Sequence, residues 1–403
     1  MGRSRLPLAV AVAVAAAAAA TFLLRPRSGL IEPAPVHAQQ YFTAFQLERA
    51  EDFRGVQRIL GVAGIGVGIA TLAVLAWRPP RRLMARLEVR PLLGGAAAGA
   101  GISLLLVATG LPISAWTRAR ALDVGLATQS WPDWAVDVVK SAGIGAITAA
   151  VGGLIAMALV RRFPRHWWAP AALLVIAYGV VTIWLYPIVI DPVFNRFDRL
   201  PDGQLRSEVL QLADRAGVDV GEVYRVDASR RTSAANAYVV GLGHSKRVVL
   251  YDNLIDDFKP GEVRTVVAHE LGHQKHDDLL RGLAWLAIVA PAGTFLVQSL
   301  AERFVPRGRL GTPAALPAIA LAIALVSLGA GCASNALSRR VEASADTFAL
   351  GLTHDPKDFI RFQQRISVQN VGDPDPPGWY QTLFGTHPTT LERIGAGVAF
   401  ESK

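Results

Sequence analysis

Seven runs of predominantly apolar residues punctuate the chain, at 6–24, 56–77, 91–116, 141–160, 170–190, 280–301 and 313–337. Each is long enough to cross roughly 30 Å of hydrocarbon as an α-helix rising about 1.5 Å per residue. The composition agrees: 52% of the 403 residues are hydrophobic and only 18% are charged, too apolar for an ordinary soluble protein. Trp77, Trp116, Trp167 and Trp168 lie at run ends, where an aromatic belt would sit. The expectation is a mainly α, multi-pass integral membrane protein with about seven transmembrane helices.

The first run has two readings. It is Ala-rich and follows Arg3 and Arg5, and Val36-His37-Ala38 resembles a small-residue cleavage site behind a signal peptide. That site lies well beyond an apolar stretch that is long for such a leader, so a retained first helix is expected.

The net charge of +9, from 41 basic and 32 acidic residues, would suggest nucleic acid as the partner of a soluble protein. Here the basic residues cluster in short loops between the runs, as in Arg78, Arg81, Arg82, Arg86 and Arg90. This is the pattern of topology and lipid head groups, so membrane lipids are expected as partners and nucleic acid is not. If all seven runs span, then Arg3 and Arg5, the 78–90 cluster, Arg161, Arg162 and Arg165, and Arg303, Arg307 and Arg309 share one side. The positive-inside rule makes that side cytoplasmic and places segment 191–279 outside. Ala, Val, Gly and Arg richness points to a GC-rich bacterial genome, hence a bacterial cell membrane. The only cysteine, Cys332, lies inside the last run and reads as a small packing residue.

Four parts follow: 1–190 with five helices, an extramembrane segment 191–279, two helices in 280–337, and a C-terminal segment 338–403. The extramembrane segment opens on a Leu200-Pro201-Asp202-Gly203 turn, followed by an amphipathic helix with Leu205, Val209, Leu212 and Ala216 on one face. Strands are predicted at 223–226, 237–240 and 247–250, the last two forming a hairpin around Gly241-Leu242-Gly243.

After them comes His269-Glu270-Leu271-Gly272-His273. The surrounding residues read as a helix that starts near Pro260, carries an apolar stripe of Val263, Val266, Val267 and Leu271, and runs directly into the sixth span. Histidines four apart project from one helical face and can share a metal ion. Glu270 leans about 100° round the axis, within reach of a water at that metal. The bland alternative is two ordinary histidines on an amphipathic helix. A zinc site needs one more protein ligand. The helix leaving the seventh run carries Glu342 and Asp346 one turn apart; Glu342 can complete the site, and Asp346 can accept from a ligand histidine's other ring nitrogen. Alone, that segment would read as a solvated helix end.

These residues resemble the type I CaaX prenyl proteases, multi-pass membrane zinc metalloendopeptidases of the gluzincin type. The resemblance covers roughly half the chain and rests on several motifs in order. They are Pro192-Val193-Phe194-Asn195-Arg196-Phe197, Asn236-Ala237-Tyr238 with Gly241-Leu242-Gly243, Val249-Leu250-Tyr251-Asp252, the His269–His273 stretch, Ser338-Arg339 with Glu342 and Ala345-Asp346, and His387-Pro388 with Glu392-Arg393. The resemblance implies seven helices around a water-filled chamber, plus a small α/β zincin-like metallopeptidase domain with one Zn2+ per chain. It implies His269, His273 and Glu342 as ligands and Glu270 as general base. It also implies His387 as a donor to the oxyanion, Arg393 as an orienting or charge-stabilising group, and Asn236, Ala237 and Tyr238 as a substrate-binding strand. Substrates would be peptides or proteins, with or without a lipid, and the resemblance implies a site on the cytoplasmic side, against the charge pattern. Three positions depart from the family: Thr389 replaces a second proline, Gln274 a tryptophan, and Asp278 a histidine.

The Asp278 variant is also similar to heat-shock membrane proteases that degrade damaged membrane proteins. Two other classes compete. A non-catalytic zinc-containing membrane sensor would have no use for the unliganded Glu270. A transporter would carry ionisable groups near mid-membrane, and these runs show almost none.

Overall fold

The computed structural model describes residues 5–27, 29–241, 246–305 and 309–402. Leu242 and Gly243 of the expected hairpin loop, and Arg3 and Arg307 of the charge pattern, lie outside the described residues.

Helices α1 (Arg5–Leu24), α2 (Ala44–Trp77), α3 (Arg81–Glu88), α4 (Pro91–Asp123), α5 (Trp131–Arg162) and α6 (Trp168–Leu185) form the N-terminal region. α6 passes through a π-helical turn, Tyr186–Ile190, into the short α7 (Asp191–Phe194). Strand β1 (Phe197–Arg199), helix α8 (Gln204–Ala216) and strands β2 (Glu222–Val226), β3 (Ala237–Val240) and β4 (Arg247–Tyr251) follow. Then come α9 (Asp252–Asp257), α10 (Pro260–Lys275), α11 (Asp278–Phe304), α12 (Leu316–Thr353), α13 (Pro356–Gln369), α14 (Gly378–Phe384) and α15 (Thr390–Glu401). Among the described residues, seven helical stretches are long and apolar enough to cross a membrane, and they contain the seven apolar runs.

The connections gather at two ends, as alternating spans require. At one end the α1–α2 connection bonds to the tail (Ala34 N to Gly395 O, 3.0 Å), and the α4–α5 connection bonds to the segment before β3 (Thr128 N to Arg231 O, 3.1 Å). At the other end Arg161 Nη1 donates to Gly311 O at 3.1 Å, and Gln298 Nε2 donates to Arg165 O at 3.0 Å.

The sheet has the order β1-β2-β4-β3. β1–β2 and β3–β4 are antiparallel, the latter as expected from the hairpin, whereas β2 and β4 are parallel. β-Branched residues suit this pleated, half-buried surface. Val223, Val248 and Leu250 pack with Val263, Val266, Val267 and Leu271 of α10 and with Val209 and Leu212 of α8. α10 therefore lies across the sheet, and β3 is left as an edge strand.

One expectation fails here. α10 does not run into the sixth span: it ends at Lys275, and Asp277 takes a left-handed conformation (φ 52°) before α11 starts at Asp278. A straight continuation would have kept one helix axis; the reversal at Asp277 changes it.

Candidate active site

α10 begins where the sequence requires it. Pro260 occupies the first turn, and buried Glu262 accepts from Lys259 N at 2.8 Å and pairs with Arg365 at 2.7 Å. Its apolar stripe against the sheet turns His269, Glu270 and His273 toward α12. Gly272 permits the approach: a Cβ there would lie 3.2 Å from both Ala345 Cα and Phe348 Cδ1. Any larger residue would push α12, and with it Glu342 and Asp346, away from the histidines.

Buried His269 donates or accepts through Nδ1 to Asp346 Oδ1 at 2.8 Å, and His273 Nδ1 meets Asp278 Oδ2 at 2.9 Å. A carboxylate can only accept, so in each neutral ring Nδ1 carries the proton and Nε2 presents its lone pair. The two Nε2 atoms lie 3.2 Å apart. His269 Nε2 is 3.2 Å from Glu342 Oε2, and His273 Nε2 is 3.6 Å from Glu342 Oε1. One ligand atom from each of the three residues fits within 4.8 Å of the others. Three acceptors converge, and Glu342 Oε2 is buried without a hydrogen-bond partner among the described residues. Such a donor set fits a divalent cation and suits little else. Burial works against charge on His269, but the carboxylates of Asp346 and Glu342 beside it outweigh it and raise the pKa to about 10. A proton can thus take the cation's electrostatic place.

Glu270 is partly buried between the histidines and makes no hydrogen bond or ion pair among the described residues. Burial raises its pKa, opposed by the nearby histidines. It is a carboxylate with a free lone pair and an elevated proton affinity, as a general base needs. His387, expected at the oxyanion, reaches the site from the loop after α14, with Nε2 3.4 Å from Glu342 Oε2. Arg393 on α15 arrives from behind. It holds Asp346 through Nη2 to Oδ1 at 2.6 Å and Nε to Oδ2 at 2.9 Å, and Nη2 is 3.4 Å from His269 Nδ1.

Asn236, Ala237 and Tyr238 sit at the start of the edge strand. Asn236 accepts from Tyr251 N at 3.0 Å through its backbone carbonyl. Ala237 is buried against α10. Tyr238 donates its hydroxyl to Asp191 Oδ2 at 3.0 Å, tying β3 to the foot of α7. Backbone groups alternate along an antiparallel pair. Because Asn236 and Tyr238 face β4, those of Ala237 and Val239 face outward. Gln274 Nε2 donates to the outward Val239 carbonyl at 3.3 Å.

Asp278 is the site residue that the sequence showed only as a departure. With Arg281 Nη1 2.8 Å from its Oδ1, it builds behind His273 the same carboxylate–arginine support that Asp346 and Arg393 build behind His269. Its signal was an acid and an arginine one turn apart, just beyond the second histidine.

Comparisons with known proteins agree with this geometry. Residues 199–397 match Peptidase family M48, and residues 66–196 match the CAAX prenyl protease N-terminal region of five membrane helices. The chain is 32% identical over 301 residues to the uncharacterized metalloprotease YhfN of Bacillus subtilis, covering 73% of this chain and 70% of that one. It is 32% identical over 237 residues to a CAAX prenyl protease 1 homolog of Oryza sativa subsp. japonica, covering 56% and 55%. It is 34% identical over 173 residues to CAAX prenyl protease 1 of Saccharomyces cerevisiae, covering 41% and 36%. These alignments span about half or less of the plant and yeast relatives. The fold is similar to the crystal structure of S. mikatae Ste24p, with a TM-score of 0.78 at 19% identity, over 96% of this chain and 98% of that one. The chain belongs to peptidase family M48 and is a multi-pass integral membrane metalloprotease, a hydrolase of the CAAX-prenyl-protease-like kind.

Proposed function

We propose that His269, His273 and Glu342 hold one Zn2+ per chain and that the site hydrolyses peptide bonds in extended segments of membrane-associated peptides or proteins. The observation that carries this reading is the convergence of three acceptors, two of them imidazoles whose Nδ1 atoms are already committed to Asp346 and Asp278. Bound there, zinc supplies a Lewis acid that polarises a carbonyl and lowers the pKa of water.

The chain's own residues supply the rest. Glu270 takes the proton of the attacking water and delivers it to the leaving amine, a role typically contributing about 10²–10⁴-fold. His387 Nε2 donates to the oxygen on which charge develops. Arg393 acts through Asp346, holding His269 in one tautomer. The outward groups of Ala237 and Val239 offer a substrate two residues of β-ladder, with Asn236 and Tyr238 fixing that edge to β4 and Asp191.

The spans contribute enclosure. Only 11%, 11%, 22%, 17% and 0% of the most apolar stretch is buried in the first five, against 44% and 39% in the last two. Such sparse burial supports a ring of helices around a chamber better than a solid bundle. The setting we infer is a bacterial cell membrane, with lipids around the ring and lipidation of the substrate optional. A second reading, degradation of damaged membrane proteins, is favoured by Asp278 taking the place of the prenyl proteases' usual histidine.

The test is Glu270→Gln, which removes the base and no ligand. The variant should keep one zinc per chain by elemental analysis and lose peptide hydrolysis, whereas His269→Ala, His273→Ala and Glu342→Ala should lose zinc. Cleavage by Glu270→Gln at the parent rate would refute the mechanism. Comparing membrane proteomes with active and Glu270→Gln enzyme separates CaaX-terminated substrates from loosely folded ones.

A further inference from the structure

Asn335, Arg339, Glu342 and Asp346 follow one another on α12 at spacings of four, three and four residues, so they share one face of one helix. The last two serve the metal site. The first two reach the segment that carries His387. Arg339 Nη1 donates to Gln381 O at 3.0 Å and to Gly385 O at 2.6 Å, and Asn335 Nδ2 donates to Leu383 O at 2.7 Å. These carbonyls lie at the C-terminal end of α14, which favours a cation; Gln381 O also accepts from Gly385 N at 3.1 Å.

From there the support passes on. Gln381 Nε2 donates to His387 O at 2.7 Å, and Thr386 Oγ1 lies 2.8 Å from His387 Nδ1. The turn closes around Gly385, where a Cβ would meet Gln381 Oε1 at 2.2 Å and Gln381 O at 2.7 Å. The His387 side chain is 57% exposed, so burial does not hold it in place. Its 3.4 Å approach to Glu342 Oε2 depends on this brace.

We propose that Arg339 is the positioning residue for His387. It fixes the α14–His387 segment to the helix face that presents Glu342, so one rigid helix sets the distance between metal ligand and oxyanion donor. This rests on the reading of His387 given above. A misplacement of about 1 Å in a reacting constellation costs on the order of 10²-fold. Both bonds leave from one guanidinium nitrogen, Nη1, whose two hydrogens serve the two carbonyls.

The experiment uses the full chain in liposomes, with kcat, KM and zinc content measured on one peptide substrate. His387→Ala should lower kcat by about 10²–10³-fold. Arg339→Ala should lower kcat by roughly 10–100-fold, with KM within about twofold and zinc unchanged. Gly385→Ala perturbs the same brace without touching α12 and should give the same signature. Combined with His387→Ala, neither variant should lower kcat further. Parental kcat in both variants, losses that add to that of His387→Ala, or zinc lost alongside kcat in both would overturn the proposal. Parental kcat in His387→Ala would instead remove His387 from the mechanism.

Discussion

Asp346→Asn isolates what the buried acid does for the metal site. The carboxylate accepts three bonds: His269 Nδ1 at 2.8 Å, Arg393 Nη2 at 2.6 Å and Arg393 Nε at 2.9 Å. Asparagine keeps the shape but has one acceptor. If its oxygen faces His269, its nitrogen faces Arg393 Nε, donor against donor; if it is turned round, the nitrogen faces His269 and Arg393 Nη2. Either way Arg393 loses its counter-charge with only 16% of its side chain exposed. Breaking a buried pair this way costs about 3–5 kcal/mol of stability, and the residual exposure of Arg393 argues for the lower end. The loosened imidazole then binds metal about 10–100-fold more weakly, or roughly 1.4–2.8 kcal/mol. Chelator competition gives the zinc affinity, and thermal unfolding of the zinc-free protein gives the stability. Arg393→Gln should weaken zinc less, because His269 keeps its acceptor. Parental zinc affinity in Asp346→Asn, or a larger loss in Arg393→Gln, would refute the assignment of Asp346 as the residue that orients His269.

Asp278→Asn should also weaken zinc by about 10–100-fold, and parental affinity would make Asp278 a mere helix start. The raised pKa of His269, from 6.5 to about 10, makes a pH prediction for the zinc-free protein. Its contribution to stability is fully present below pH 6.5 and is lost as pH rises through about 10, so the unfolding midpoint should fall over that window; a midpoint that rises there contradicts the pairing. The positive-inside rule predicts that the arginine-rich end opposite the site is cytoplasmic, whereas the family resemblance implies a cytoplasmic site. In a Cys332→Ala background on intact cells, an impermeant thiol reagent should label Asp257→Cys and not Arg82→Cys; the reverse pattern would place the site in the cytoplasm.

The parts of this molecule that were legible in the sequence are those written in local periodicity. Long apolar runs mark the spans, and residues four apart on one helix bring His269 to His273 and Glu342 to Asp346. What stayed hidden depends on a change of direction or on pairing across distance. On a straight helix Asp278 would lie five residues past His273, about 140° round the axis, and could not touch it. The left-handed Asp277 folds the chain back so that Asp278 Oδ2 meets His273 Nδ1. The expectation of one continuous helix into the sixth span therefore concealed the second supporting acid. Arg393 was expected as an orienting or charge-stabilising group; that α15 delivers it to the far side of Asp346 needs the tail's packing and not its motif. The three-residue β1 and the parallel β2–β4 pairing have no alternation long enough to read. Asp191, beside a π-helical turn, gains its meaning only from Tyr238, 47 residues on. Metal chemistry is thus encoded in the spacing of a few residues. The orientation that makes those residues work is encoded in turns and long-range contacts, where substitutions in this chain should be most informative.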